Sequence, residues 1–224
     1  MAEGIQIEGM VFEAPSGGSA PGGAGFAQQT PRERVVSSDL TEDDLALDRS
    51  LRPKYLDDYL GQTRVKDSLS ILIQAAKQRG ECMDHVLFSG PPGLGKTTLA
   101  TIVAGQSGRV FEELSAVTSG VKDVRDVLTR AHERLVSRGQ ETVLFIDEVH
   151  RFSKSQQDAL LPAVENRDVT FIGATTENPS FSIIKPLLSR SVVVKLESLE
   201  PDQLIELVQR ALTDDRGLRD EVKA

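Results

Sequence analysis

The stretch Gly90-Pro-Pro-Gly-Leu-Gly-Lys96-Thr97-Thr98 decides the fold. It follows an apolar run, His85-Val-Leu-Phe-Ser89, and opens a helical one, Leu99-Ala-Thr-Ile-Val-Ala104. A strand, a glycine-rich turn and a helix start, in that order, make a cradle for phosphate. Glycine lets the main chain turn tightly, so that several N–H groups of the loop can point at one anion. The first turn of the helix adds the positive end of its dipole. Lys96 brings a mobile ammonium to the outer phosphates, and Thr97 a hydroxyl for a magnesium ion. The binding candidates are therefore Gly90, Pro91, Pro92, Gly93, Leu94, Gly95, Lys96, Thr97 and Thr98. A Gly-Pro linker without a ligand is the bland alternative, and the full spacing with both flanks argues against it.

A second apolar run, Val143-Leu-Phe-Ile146, ends in Asp147-Glu148. Continuous apolar character suits a strand covered on both faces. An Asp at its end is placed to hold magnesium opposite the phosphate loop. The acid directly after it can orient and deprotonate an attacking water. Two surface acids after a buried strand would be the structural alternative. The polar cluster Gly173-Ala-Thr175-Thr176-Glu-Asn178 offers hydroxyls to sense the terminal phosphate, although Thr and Asn are also common turn formers. Arg190, in Leu188-Ser189-Arg190, is a candidate arginine finger supplied to a neighbouring subunit. A lone arginine is otherwise a solvated surface charge. His85, His132 and His150 have no metal-ligand spacing with one another or with Cys82, which leaves them structural or supporting roles and no zinc site.

Around these motifs the chain alternates strand and helix. Leu69, Leu72, Ile73 and Ala76 recur at helical spacing from Val65, with Gly80 as a stop. Strands are predicted at 86–89, 110–114, 143–146, 170–174 and 192–194. Between them lie a helix with Val121, Val124, Val127, Leu128, Ala131 and Leu135 on one face, and a second one opened by the capping box Ser153-Lys-Ser-Gln156. Pro201 suits the first position of a last helix, with Leu204, Ile205, Val208 and Leu212 facing inward. Such alternation predicts an α/β fold, a parallel sheet with helices on both faces.

Composition narrows the class. Of 224 residues 39% are apolar and 27% charged, as a globular core requires. The net charge of −8 is uneven: residues 1–50 hold nine acids and three bases, the other 174 hold 25 and 23. The body is nearly neutral, and no basic tract suggests a strong nucleic-acid footprint of its own. Residues 14–31 are rich in Gly, Pro and Ser, which predicts a flexible leader over residues 1–33. Cys82 is the sole cysteine, so no intramolecular disulfide forms. The first residues lack a secretory pattern, and no apolar run reaches the ~18 residues of a membrane span. The expected location is cytoplasmic, with no membrane partner.

Together these residues resemble the AAA+ P-loop NTPases over residues ~34–212. From Arg34 to about Ala104 the chain is similar to the RuvB family of Holliday-junction branch-migration motors, through Leu51-Arg-Pro-Lys-Tyr-Leu-Asp-Asp-Tyr59-Leu-Gly61-Gln62 and the phosphate loop. From about Leu114 it resembles the RarA (MgsA) family of replication-associated recombination ATPases. There the text is Ser115-Ala-Val-Thr-Ser-Gly-Val-Lys, Asp147-Glu-Val-His-Arg-Phe-Ser-Lys-Ser-Gln-Gln-Asp158 and Ile172-Gly-Ala-Thr-Thr-Glu-Asn-Pro-Ser-Phe181. The resemblance implies a five-stranded AAA+ core over 34–198 and the start of a helical lid over 199–224. It implies that Arg52, Pro53, Tyr59 and Gly61 lie against adenine, and that Lys96 and Thr97 are the Walker A lysine and magnesium ligand. Asp147 and Glu148 match Walker B. Thr175 matches the terminal-phosphate sensor, with Thr176 as the alternative, and Arg190 the finger acting in trans.

The expected cofactors are thus ATP and Mg2+, and the expected partners a homo-oligomer, ring or tetramer, and DNA at junctions or stalled forks. Two departures shape the reading. Only Glu165-Asn-Arg-Asp-Val169 joins the Walker B helix to the next strand, too short for the RuvB hairpin that meets RuvA. The lid is about one helix long at Ala224, as a fragment or a fusion of two reading frames would leave it. The function these residues imply is ATP hydrolysis in DNA recombination and repair, RarA-like in replication-fork maintenance. The alternatives are a RuvB-like branch-migration helicase subunit and a nucleotide-binding module without effective hydrolysis. A small-molecule kinase is disfavoured, since no acceptor-site motif accompanies the acid pair.

Overall fold

The computed structural model describes residues 52–213, all within one compact unit. The leader predicted over 1–33 lies outside the described residues, as does Thr41-Glu-Asp-Asp44, whose N-cap hydroxyl and acid three residues on predict a helix start. Helix α1 (Thr63–Arg79) precedes β1 (His85–Ser89), and α2 (Lys96–Ser107) leads to β2 (Val110–Ser115). Helix α3 (Val121–Arg138), β3 (Thr142–Asp147), a short 3₁₀ turn (Val149–Arg151), α4 (Lys154–Glu165) and β4 (Val169–Thr175) follow. Two one-turn helices, α5 (Pro179–Ser182) and α6 (Lys185–Leu188), lead to β5 (Ser191–Lys195) and α7 (Pro201–Thr213).

The strands form one parallel sheet in the order β2-β3-β4-β1-β5. Parallel pairing needs crossover helices, and these bury both faces of the three central strands, which explains their unbroken apolar runs. Alternate side chains enter two cores. Val86, Phe88, Val143, Phe145 and Ile172 pack with Leu69 and Ile73 of α1 and Leu99, Ile102 and Val103 of α2. Leu87, Leu144, Ile146 and Phe171 pack on the other face with Val124 and Val127 of α3 and Leu160 and Val164 of α4. Phe88, Phe145 and Phe171 are fully buried, worth roughly 1.5–3 kcal/mol each by area. The five predicted strands and the caps at Gly80 and Ser153 are all observed, within two residues.

The last helix differs from expectation. Leu204, Ile205, Val208 and Leu212 do share one face of α7, but they are 48, 55, 57 and 39% exposed rather than inward. An amphipathic pattern fixes which side chains share a face; it takes an opposing surface to bury them. Among the described residues, α7 instead meets the segment before α1. Arg210 Nη1 donates to the Asp58 carbonyl at 2.9 Å, and Leu199 and Gln203 lie against Gly61. No helix of the described residues is long and apolar enough to cross a membrane.

Chain order places the site. β1 sits between β4 and β5, and the chain leaves it for the far edge at β2. In open α/β sheets such a topological switch opens a crevice at the carboxyl ends of the strands. The loops after β1, β3 and β4 all emerge there.

Candidate functional site

The phosphate loop is pinned to its neighbours before it turns. Gly90 N–H bonds to the Thr175 carbonyl of β4 at 3.2 Å, and Leu196 N–H to the Ser89 carbonyl at 2.7 Å. Gly93 and Gly95 take left-handed φ of 78 and 72°. At Gly95 a Cβ would stand 3.0 Å from the Tyr59 hydroxyl, so only glycine suits both the turn and the contact. Tyr59 donates to the Leu94 carbonyl, and burial pushes its phenol up to about 12, which keeps it a neutral donor. Leu99 N–H reaches back to the Gly95 carbonyl at 3.0 Å. The amides of Lys96, Thr97 and Thr98, at the helix start, precede that bond and have no intrahelical partner.

Lys96 is buried at the start of α2, and Nζ donates to the carbonyls of Gly90 and Pro91, 2.8 Å each. Burial pulls its pKa below the ordinary lysine value, while Glu148 and Asp147 draw it back up. Asp147 ends β3, where Ala116 N–H holds its carbonyl at 3.0 Å and Glu148 N–H reaches Oδ1 at 3.0 Å. Burial raises its carboxyl pKa and Glu148 adds to the rise, while the Glu148 N–H, Lys96 and His150 oppose it. Glu148 stands in the left-handed region, φ 51° and ψ 42°, uncommon for a residue with a Cβ. The 3₁₀ turn after it is anchored by fully buried Val149, for which Gly173 leaves room: a Cβ there would lie 3.2 Å from Val149 Cγ1 and 2.7 Å from Leu87 Cδ2.

One cation and two acids thus converge beside a row of amides. The donor set fits a triphosphate with a divalent cation: glycine amides and a desolvated ammonium for the anion, and the hard oxygens of Thr97 and Asp147 for Mg2+.

The other predicted residues are distributed as follows. Arg52 and Pro53 are half-buried, as is Gly61, which adopts φ 68° against Leu199 and Gln203. The Gln62 side chain donates to the Glu197 carbonyl and accepts from Glu197 N–H at 3.2 Å, tying this segment to the chain after β5. Thr175 is fully buried; its hydroxyl accepts from Glu177 N–H at 3.0 Å and meets His150 Nδ1 at 3.1 Å. The Thr176 hydroxyl donates to Glu148 Oε2 at 3.3 Å. Arg190 lies at the other end of the sheet, directly before Ser191, which pairs with His85 at the start of β1. Its guanidinium is exposed, 2.7 Å from Glu165 Oε1 and 3.0 Å from the Pro186 carbonyl. A five-residue strand separates it from its own phosphate loop by roughly 15 Å.

His85 and His132 have the structural roles their spacing suggested. His85 is buried between the Val164 carbonyl and Phe171 N–H, and His132 faces Asp168 at 3.3 Å. No cluster of metal ligands occurs among the described residues. Cys82 is half-buried, and burial followed by Glu141 pushes its thiol up to about 11, a poor nucleophile. Sequence reasoning missed the contact of His150 with Glu148, 3.1 Å from Nδ1 to Oε2. The only signal for it was the i, i+2 spacing after the acid pair, which reads as contact only once the 3₁₀ turn is known.

The profile of the Holliday junction DNA helicase RuvB P-loop domain matches residues 51–194. The chain belongs to that family. An AAA domain-containing protein of Mycobacterium tuberculosis is 50% identical over 168 residues, 75% of this chain and 36% of that protein. The replication-associated recombination protein A of Coxiella burnetii is 46% identical over 177 residues, 79% of this chain and 39% of that protein. The solved Thermotoga maritima RuvB Holliday junction branch migration motor superposes with a TM-score of 0.63 at 40% identity, covering 72% of this chain and 54% of that one. The chain spans about two fifths of the length of these curated relatives. The AAA+ fold read from the sequence stands. The RuvB profile runs through both the RuvB-like and the RarA-like stretches, so the two resemblances describe one continuous domain.

Proposed function

We propose that this chain binds ATP with Mg2+ at the phosphate loop and hydrolyses it at a subunit interface. The work so driven serves DNA recombination and repair. Three charged groups at the carboxyl end of β1 and β3, Lys96, Asp147 and Glu148, with Arg190 at the opposite end of the sheet, support this reading. Lys96 and the amides of residues 96–98 take the outer phosphates, and Arg52, Pro53, Tyr59 and Gly61 border the adenine. Mg2+, held by Thr97 and Asp147, would neutralise charge on the transferring phosphoryl group. Glu148 orients water and accepts its proton, and Thr176 stands beside it. Arg190 is too far from its own site to serve it, and serves that of a neighbour in a homo-oligomer.

The recombination role follows the relatives named replication-associated recombination protein A, and its DNA substrate is a stalled fork or junction in the cytoplasm. RuvB-like branch migration is the second reading, favoured by the family profile. The link from α4 to β4 is only three residues long, so no hairpin is available there for RuvA.

Arg190→Ala tests the interface. Magnesium-dependent phosphate release should fall by about 10³–10⁵ with nucleotide affinity little changed. Mixing Arg190→Ala with Lys96→Ala chains should recover part of the activity, because each mutant spoils a different half of the shared site. Normal hydrolysis by Arg190→Ala alone ends the model of a shared site.

A further inference from the structure

We propose that His150 is a positioning residue for Glu148, fixing which carboxylate oxygen faces the attacking water. This rests on the hydrolytic reading of Glu148 given above. The 3₁₀ turn Val149–Arg151 carries the His150 ring back over Glu148, with Nδ1 3.1 Å from Oε2. A carboxylate only accepts hydrogen bonds, so in the proposed role the ring carries its proton on Nδ1. The same Nδ1 lies 3.1 Å from the Thr175 hydroxyl oxygen, whose position is fixed by Glu177 N–H at 3.0 Å. Thr175 in turn belongs to β4, fully buried. The ring is therefore aimed by the sheet and is itself mostly buried, its side chain 9% exposed.

Thr176 donates to the same Oε2 at 3.3 Å. With Thr176 donating to Oε2 and the His150 ring 3.1 Å from the same oxygen, Oε1 is the more open acceptor. A base must meet its proton at hydrogen-bond distance, so a carboxylate free to rotate would present the wrong geometry for much of the time. The turn gives the reason for a second residue in this task. Glu148 sits in the left-handed region, where its backbone is held by buried Val149 below, and only its side-chain torsions remain free. His150 and Thr176 remove that freedom from two sides. At the other ring nitrogen, Glu177 Oε1 stands 3.9 Å from Nε2, outside hydrogen-bond reach, so Nδ1 makes the ring's directed contacts.

The test uses steady-state phosphate release and equilibrium ATP binding on the full chain. His150→Ala should lower kcat by about 10- to 100-fold, the range for partners that orient a functional group, with KM and ATP affinity within about twofold. His150→Asn, which keeps an N–H donor near the Nδ1 position, should recover most of the loss. In a Glu148→Gln background the removal of His150 should cost nothing more, since the effect acts through Glu148. Unchanged kcat in His150→Ala, an equal loss of ATP binding, or a further drop in the Glu148→Gln background would each overturn the proposal. An unfolded His150→Ala leaves His150→Asn to decide, with unimpaired folding but kcat at the level of Glu148→Gln counting against it. A wild-type chain that binds ATP yet releases no phosphate would instead sink the hydrolytic reading itself.

Discussion

The two ends of the same sheet follow opposite rules. At the amino end, polar groups neutralise one another. Arg109 pairs with Glu141, and Arg134 reaches Thr142 Oγ1 and Glu112 Oε1 at 2.7 Å each. His85 has both ring nitrogens bonded. A cleft of about 460 Å³ opens there beside Arg109 and Gly139, yet it gathers no desolvated acid pair. At the carboxyl end, a buried ammonium turns to carbonyls of its own loop, two acids adjoin, and Glu148 holds a left-handed backbone. A left-handed backbone is shared by Arg167 at the amino end, φ 58°, so it is the adjoining unneutralised charge, of the kind that gathers at sites of chemistry, that sets the carboxyl end apart.

The sharpest way to break this contrast is a substitution at the carboxyl end that leaves the fold untouched. Glu148→Gln keeps the volume and the Thr176 contact but removes the base. Phosphate release should drop about 10²–10⁴-fold, with ATP affinity and Tm unchanged. A large fall in Tm would show that the acid serves the fold, and the two ends would no longer differ in kind.

A mid-sized effect is expected at the amino end, on stability alone. His85 donates from Nε2 to the Val164 carbonyl at 3.1 Å and accepts at Nδ1 from Phe171 N–H at 3.0 Å. The neutral ring satisfies both. A second proton would set two donors face to face, and burial already lowers its pKa from 6.5. Below that value the unfolded chain takes up a proton that the folded ring refuses. Stability from this group is therefore full above about pH 6.5 and declines as the pH falls through it. His85→Gln should cost about 1–3 kcal/mol at pH 7.5 by stranding a buried partner, and flatten the acid decline in urea titrations. Retention of the wild-type acid slope in the variant would assign that slope to other groups.

The same contrast explains what could be read in advance. Strands and loops were legible because their information is local: an apolar run, a glycine spacing, a terminal Asp-Glu pair. The Ser153 box and the Gly80 stop are local too. What escaped depends on partners distant in sequence or on backbone torsion. Gln62 and Glu197 are 135 residues apart, and nothing in either neighbourhood announces the pairing. That Thr175 is fully buried follows from strand register, which decides which hydroxyl of the Thr175-Thr176 pair faces the core. The one-turn helices α5 and α6 are too short for a periodic signal. The exposed face of α7 shows a pattern correctly located and its burial wrongly inferred.

The smallest predicted effect concerns an exception at the amino end. Thr170, second residue of β4, is fully buried, and its hydroxyl has no partner among the described residues. It pairs in register with Val143 in a stretch otherwise closed to water. An unmade hydrogen bond in such surroundings costs free energy with nothing in return. Valine has nearly the same shape and no hydroxyl, and its β-branch suits the strand. Thr170→Val should therefore raise stability by about 1 kcal/mol and leave phosphate release unchanged. A loss of stability would mean that the hydroxyl has found a partner such as a buried water, and the amino end would then be fully paired after all.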